Sequence, residues 1–226
     1  MEINVIKSLE DANTAKGIAV IIDVFRAFST EAYVFENGCE YIIPVDSLDH
    51  AYILKKENPE FILMGERGGL KPLGFDYGNS PTEIVNVDFR GKIVVHTTSN
   101  GTKGLLGAVK AETILTGSFV NANAIINYIK KENSQEVSLV STSSDIENNN
   151  EDVMLAYYIQ DCLIGKSPDE KGIKEMLTKT SAYKYLFKEA GVPATDFDYC
   201  LDFNRFDFVI KQEVLDDRKI LMKIQP

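Results

Sequence analysis

The residues best suited to chemistry lie in a few short polar segments. Asp23-Val24-Phe25-Arg26-Ala27-Phe28-Ser29-Thr30 puts a carboxylate at the end of an apolar run, then an arginine and two hydroxyls at a helix start. Helix N-termini bind anions through free N–H groups and the helix dipole, and arginine grips an oxyanion with paired hydrogen bonds. A second reading stays open, in which Asp23 caps the helix and Arg26 pairs with it. Gly65-Glu66-Arg67-Gly68-Gly69 offers a metal-ligating carboxylate and an anion clamp among glycines, which let backbone approach a ligand closely. The loop runs on to Gly74-Phe75-Asp76-Tyr77-Gly78-Asn79-Ser80-Pro81. Loops of this length inside a compact domain are uncommon without a function, although a solvated Glu66–Arg67 ion pair is the plainer alternative.

Thr97-Thr98-Ser99-Asn100-Gly101-Thr102 reads as a phosphate cradle or as a polar capping turn. It lacks the lysine and spacing of a nucleotide-binding P-loop, so ATP or GTP binding is not supported. Asp145, Glu147 and the pair Glu151-Asp152 are placed to favour a helix start through its dipole. They equally suit Mg²⁺, which takes oxygen ligands and keeps several waters. Phe25 stands where a haloacid-type aspartyl phosphatase needs a second aspartate, which disfavours that mechanism. His96 closes a strand and reads as a hydrogen-bonded structural residue.

The elements that must position these segments alternate between strand and helix. The spacing predicts strands at 18–24, 41–45, 61–64, 92–96, 113–116 and 137–142. Helices are expected at 29–36, 47–57, 102–110, 119–132 and 151–164. Ser80-Pro81-Thr82-Glu83 carries a capping-box start signature. After 164 the chain reads as mostly helical to about 201, then as two strands, 206–210 and 219–224, paired across Leu215-Asp216-Asp217. The expected fold is α/β: layered, with a central parallel or mixed sheet, flanking helices and a C-terminal hairpin. Residues 1–226 are expected to form one domain or two closely packed lobes. Ligands in such sheets collect at the carboxyl ends of strands, here after Val24, Met64, His96 and Thr142.

The 226 residues carry a formal net charge of −10, with three cysteines and two histidines. A nucleic-acid partner is not expected, since it would call for a basic face. A dianionic ligand would instead need a cation and a few placed arginines. No stretch approaches the roughly 18 apolar residues of a membrane span, and the N-terminus lacks a signal-peptide pattern. The cysteines fit neither a disulfide framework nor a zinc site. A cytoplasmic setting is the simplest expectation, and a homodimer is the default for an oligomer.

In order, IDVFRAFST (22–30), GERGG (65–69), GFDYGNSP (74–81), TTSNGT (97–102), GSFVNA (117–122), Glu151-Asp152 and TDFDYC (195–200) resemble the 2-phosphosulfolactate phosphatase family. The resemblance implies an α/β, Mg²⁺-dependent phosphohydrolase that converts 2-phospho-3-sulfolactate to sulfolactate and phosphate, a step in coenzyme M synthesis. Three positions depart from the family pattern. Thr142-Ser143-Ser144 replaces an Ala-Gly stretch, Phe28 a smaller residue and Ser99 a threonine.

Carried onto this chain, the resemblance leads to attack on phosphorus by a water activated by Mg²⁺. Asp23, Glu66, Asp152 and Glu151 are the expected ligands, and Asp76 is a general base or a turn cap. Arg26 and Arg67 would neutralise the transferring group. Asn79, Ser80, Thr98, Asn100, Gly101 and Thr102 would hold phosphate or the substrate's other acidic groups. Two alternatives stay open: a different small acidic phosphoester as substrate, and a non-catalytic anion-binding module.

Overall fold

The computed structural model describes residues 1–143 and 150–226. Ser144, Asp145 and Glu147 therefore lie outside the described residues. The chain begins with β1 (Glu2–Ile6) and β2 (Ile18–Ile22), then α1 (Ala27–Glu36), β3 (Tyr41–Pro44), α2 (Leu48–Glu57) and β4 (Ile62–Gly65). After the long loop come α3 (Pro81–Ile84), β5 (Ile93–Thr97), α4 (Gly101–Gly107), β6 (Thr113–Gly117), α5 (Ala122–Glu132) and β7 (Glu136–Ser141). The rest holds α6 (Glu151–Leu163), α7 (Glu170–Leu177), α8 (Ser181–Lys184), α9 (Thr195–Cys200) and the hairpin β8 (Val209–Leu215) and β9 (Arg218–Ile224). The expected strands and main helices are present within a few residues. β1 has no sequence-based counterpart, because a five-residue edge strand with a half-buried pattern has no clear period.

Local causes are visible at each element. All five residues of β2 are buried, as its unbroken β-branched run requires of a strand covered on both faces. Ser47 caps α2 by accepting from His50 N, and Asn150 caps α6 by accepting from Val153 N at 2.8 Å. Asp216 and Asp217 both take positive φ, 48° and 61°, the conformation of a tight two-residue hairpin turn.

Among the described residues, nine strands form one sheet in the order β1-β7-β2-β6-β8-β9-β3-β5-β4. The C-terminal hairpin sits inside this sheet rather than at its margin. β8 pairs antiparallel with β6, and β9 pairs antiparallel with β3. Two parallel blocks, β1-β7-β2-β6 and β3-β5-β4, are thereby joined and run in opposite directions. Strand twist of about 20–25° per pairing accumulates over the five pairings from β2 to β5, turning one block well across the other.

On one face, a single core draws Ile21, Ile42, Met64, Val94, Ile210 and Leu221 from both blocks and the hairpin against Phe28 and Phe35 of α1 and Leu105 of α4. On the opposite face the blocks pack separately, one around α5 and α6 and the other around α2. The shared face brings the end of β5 to the end of β2. Gly101, at the start of α4, lies so close that a Cβ there would meet Asp23 Oδ2 at 2.8 Å.

Candidate active site

A cavity of about 340 Å³ opens where the ends of β2, β4 and β5 meet. Asp23 and Arg26 from the first loop, Glu66 and Gly69 from the second, and Ser99 and Asn100 from the third line it, together with Asn79. Ala182, Tyr185 and Leu186 of the C-terminal helical segment complete its wall. Phe25 also lines the cavity, with its ring edge-on to Phe187 and tilted against Phe197. This volume falls in the range of small-molecule sites.

Asp23 is buried, and its Oδ1 accepts from Ala27 N at 3.1 Å. Burial pushes its carboxyl up to about 6; the Ala27 N–H opposes the rise, and the Glu66 charge adds to it. Capping of α1 by Asp23 is therefore present, but the expected pairing with Arg26 is not. Arg26 Nη1 instead donates to Asp196 Oδ2 at 2.8 Å, and Nη2 donates to Gly69 O. Asp196 is fully buried, and its Oδ1 accepts from Ser80 Oγ and Thr82 N, both at 2.9 Å.

That carboxylate does the capping of α3 expected of Ser80. Glu83 does not close a capping box: its Oε2 accepts from Gly78 N instead. Asp196 went unassigned in the sequence because its partners lie 170 and 116 positions away. Its presence in TDFDYC, within the family-like ending, was the available signal.

Glu66 binds its neighbours with both oxygens. Oε1 accepts from Ser99 N at 2.6 Å, while Oε2 accepts from Gly69 N at 2.7 Å and Ser99 Oγ at 3.1 Å. It thus clamps the second loop to the third. The close approach also needs Gly65, whose φ of +151° and contact with Thr97 O leave no room for a Cβ.

Several expected site residues sit elsewhere. Arg67 does not line the cavity; its guanidinium donates to Glu66 O, Asp46 O and Thr97 Oγ1. Asp76 is exposed and also off the cavity, its Oδ2 accepting from Leu63 N and Lys55 Nζ. Its carboxylate ties the loop to β4 and α2, outside the larger cavity. Thr98 and Thr102 are buried and satisfy each other: Thr98 Oγ1 accepts from Thr102 N, and Thr102 Oγ1 from Thr98 N. In this segment Ser99 and Asn100 line the cavity, and Gly101 supplies close approach to Asp23. Ser80 lines a smaller, adjoining cavity of about 140 Å³.

Glu151 and Asp152 are buried at the start of α6 and do not line the larger cavity. Asp152 Oδ1 accepts from Val24 N, and Oδ2 from Thr142 N and Oγ1. Burial raises its carboxyl well above the usual range, and the Glu151 and Asp23 charges add to this. Asp152 thus stands behind Asp23 and fixes the end of β2.

Among the described residues, no group of three or more His, Cys, Asp or Glu side chains is assembled to hold a metal ion. The donor set at the cavity is two carboxylates, Asp23 and Glu66. Hard oxygen donors of that number suit Mg²⁺, which commonly takes one or two carboxylates, waters and phosphate oxygens. No helix among the described residues is long and apolar enough to cross a membrane.

The comparisons with known proteins agree with one another. The family model described as 2-phosphosulpholactate phosphatase matches residues 4–214. A relative from Caldicellulosiruptor saccharolyticus is 36% identical over 224 residues, covering 90% of each chain. One from Carboxydothermus hydrogenoformans is 34% identical over 236 residues, covering 98% of this chain and 97% of its own. One from Thermoplasma volcanium is 31% identical over 192 residues, covering 85% of this chain and 87% of its own. All three bear the name probable 2-phosphosulfolactate phosphatase. A match over nearly the whole chain, by the family model and by these relatives, establishes that the chain belongs to the 2-phosphosulpholactate phosphatase family of phosphoric monoester hydrolases.

Proposed function

We propose that this chain hydrolyses 2-phospho-3-sulfolactate to 3-sulfolactate and inorganic phosphate in a Mg²⁺-dependent reaction, by direct attack of water on phosphorus. The observation that carries this reading is the convergence of Asp23, Glu66 and Arg26 on one small cavity. Asp23 and Glu66 would hold the metal, with Asp152 supporting Asp23 from behind. Mg²⁺, when bound there, supplies positive charge against the phosphoryl oxygens and lowers the pKa of water.

The chain's own groups do the rest. Two of the five N–H bonds of Arg26 are engaged by Asp196 and Gly69. The remaining donors serve the phosphoryl oxygens and gain strength as charge builds in the transition state. Asn79 and Asn100 orient the other oxygens. Asp23 takes a proton from the attacking water as the new P–O bond forms. The bridging P–O bond breaks, and the leaving oxygen gains a proton from solvent to become the 2-hydroxyl of sulfolactate. Phe25, Tyr185 and Leu186 limit the access of bulk water.

A phosphate-release screen over carboxylated and sulfonated phosphoesters, with Mg²⁺ and with a chelator, tests the reading. Release is expected to be fastest from phosphosulfolactate and lost with the chelator. Glu66→Gln is expected to lower turnover at least a hundredfold while the far-UV spectrum stays unchanged. In ¹⁸O-water the label is expected in phosphate alone. Label in an aspartate carboxylate would replace water attack by a covalent intermediate, and no release from any phosphoester would refute the reading.

A further inference from the structure

Asn79 lies at the boundary between the two cavities and lines both. Its side chain is held from behind by a buried chain of polar groups. Asn79 Oδ1 is 2.8 Å from His96 Nε2, and His96 Nδ1 is 2.7 Å from Glu31 Oε1. Glu31, on α1, and His96, on β5, are fully buried. Glu31 Oε2 and Thr116 Oγ1 meet no partner at ordinary hydrogen-bond geometry among the described residues, although the Thr116 hydroxyl lies near enough to favour the ionised Glu31.

The charge balance of this chain decides which way Asn79 points. An ionised Glu31 beside a neutral imidazole would leave a net charge in the core. Such burial is strongly unfavourable. Two arrangements avoid it. Either a Glu31 carboxylate faces an imidazolium, or a protonated Glu31 donates to a neutral imidazole at Nδ1. Burial raises the Glu31 carboxyl above its usual range, and His96 is the main opposing influence. In both arrangements His96 Nε2 keeps its proton and donates to Asn79, which must answer with its carbonyl oxygen. The Asn79 NH₂ group is then left facing the cavity, with no hydrogen-bond partner among the described residues.

We propose that Glu31 and His96 are positioning residues that lock the Asn79 amide with its NH₂ toward the cavity, where it donates to an anionic oxygen of the substrate. For the identity of that substrate the inference rests on the phosphatase reading; for the geometry it does not.

Calorimetric titration of the full chain with inorganic phosphate, and separately with 3-sulfolactate, tests it. A hydrogen bond to a charged group is worth about tenfold or more in affinity. Asn79→Ala and His96→Asn, which keeps a donor toward Glu31 but none toward Asn79, are each expected to weaken binding of at least one ligand about tenfold. The double variant is expected to be no weaker than either single variant, because His96 acts through Asn79. His96→Gln, with an amide near the Nε2 position, is expected to remain within a few-fold of the unsubstituted chain. The ligand that shows the coupling identifies whether Asn79 serves the phosphoryl end or the sulfonate–carboxylate end.

Losses that multiply in the double variant overturn the proposal, as does an unchanged affinity in a folded His96→Asn. So does an unsubstituted chain that binds neither ligand. If His96→Asn fails to fold, Asn79→Asp decides, since a carboxylate still accepts from His96 but offers an anion no donor. Its binding is expected to be lost with the fold retained, and unchanged binding overturns the proposal. Ligand binding without hydrolysis would refute the phosphatase reading and leave this inference standing.

Discussion

Asp23→Asn is expected to cut phosphate release at least a hundredfold, on the scale of losing a proton-transfer group, while making the metal-free protein more stable at neutral pH. The two effects have one cause. The Asp23 carboxyl rises from an ordinary 3.8 to about 6, first because it is buried and next because Glu66 shares the site. The unfolded chain therefore releases this proton more readily than the folded chain. The cost of keeping Asp23 ionised is absent below about pH 4, grows as pH rises through the interval up to about 6, and is complete above it. At 1.36 kcal/mol per pH unit the full penalty is about 3 kcal/mol. The asparagine carbonyl still accepts from Ala27 N, so the helix start is kept.

Urea unfolding in the presence of a chelator should show the variant more stable at pH 8, with the advantage shrinking as pH falls toward 5. An advantage that does not change with pH would mean that ionisation of Asp23 carries no such penalty. Stability held back in favour of activity is a common trade at active sites.

Asp196→Ala is expected to be the most destabilising single change near the cavity, by roughly 3–5 kcal/mol, as when one partner of a buried ion pair is removed. Asp196 is fully buried against Arg26, so truncation leaves a guanidinium in the core without its carboxylate. It also strips the Ser80 hydroxyl and Thr82 N–H of their acceptor. Against a typical domain stability of 5–15 kcal/mol, this is a large fraction. Arg26→Ala removes the charge that Asp196 balances and should also weaken phosphate binding. The double variant is expected to lose less stability than the two singles combined, since they break the same contact. Urea denaturation of the four proteins reads this directly, and simple additivity would show that the pair is not coupled.

The two residues also show how far the sequence could be read. Asp23 was legible because it follows IAVII, a run that buries itself whatever the rest of the chain does. Arg26 was legible as an anion-binding group, but its partner was not. Asp196 is supplied by α9, far along the chain, and no local period points from one to the other. The long loop 65–81 was recognisable from its glycines and length. Its three charged candidates then divided: Glu66 faces the cavity, Arg67 turns to two backbone carbonyls and the Thr97 hydroxyl, and Asp76 turns to β4. The threonines at 98 and 102 looked like phosphate ligands because hydroxyls beside a glycine serve equally well to cap a helix, and here they cap. His96 was read as a hydrogen-bonded structural residue, and both its ring nitrogens have partners. The run of residues between them and Asn79 was not visible, because it crosses from α1 to β5 to a loop.

What the sequence determined by itself was local: the buried strand β2, the capped helices, the β8–β9 turn, and the order of polar segments that marks the family. Only the tertiary structure decided that the hairpin enters the middle of the sheet and joins two opposed blocks, bringing Gly101 against Asp23. It also decided which polar side chains face the cavity and which satisfy buried backbone groups. The reason is physical. Strand and helix periods depend on neighbours a few residues apart, whereas a buried polar group must find a partner wherever the fold provides one. That partner is set by packing between distant segments.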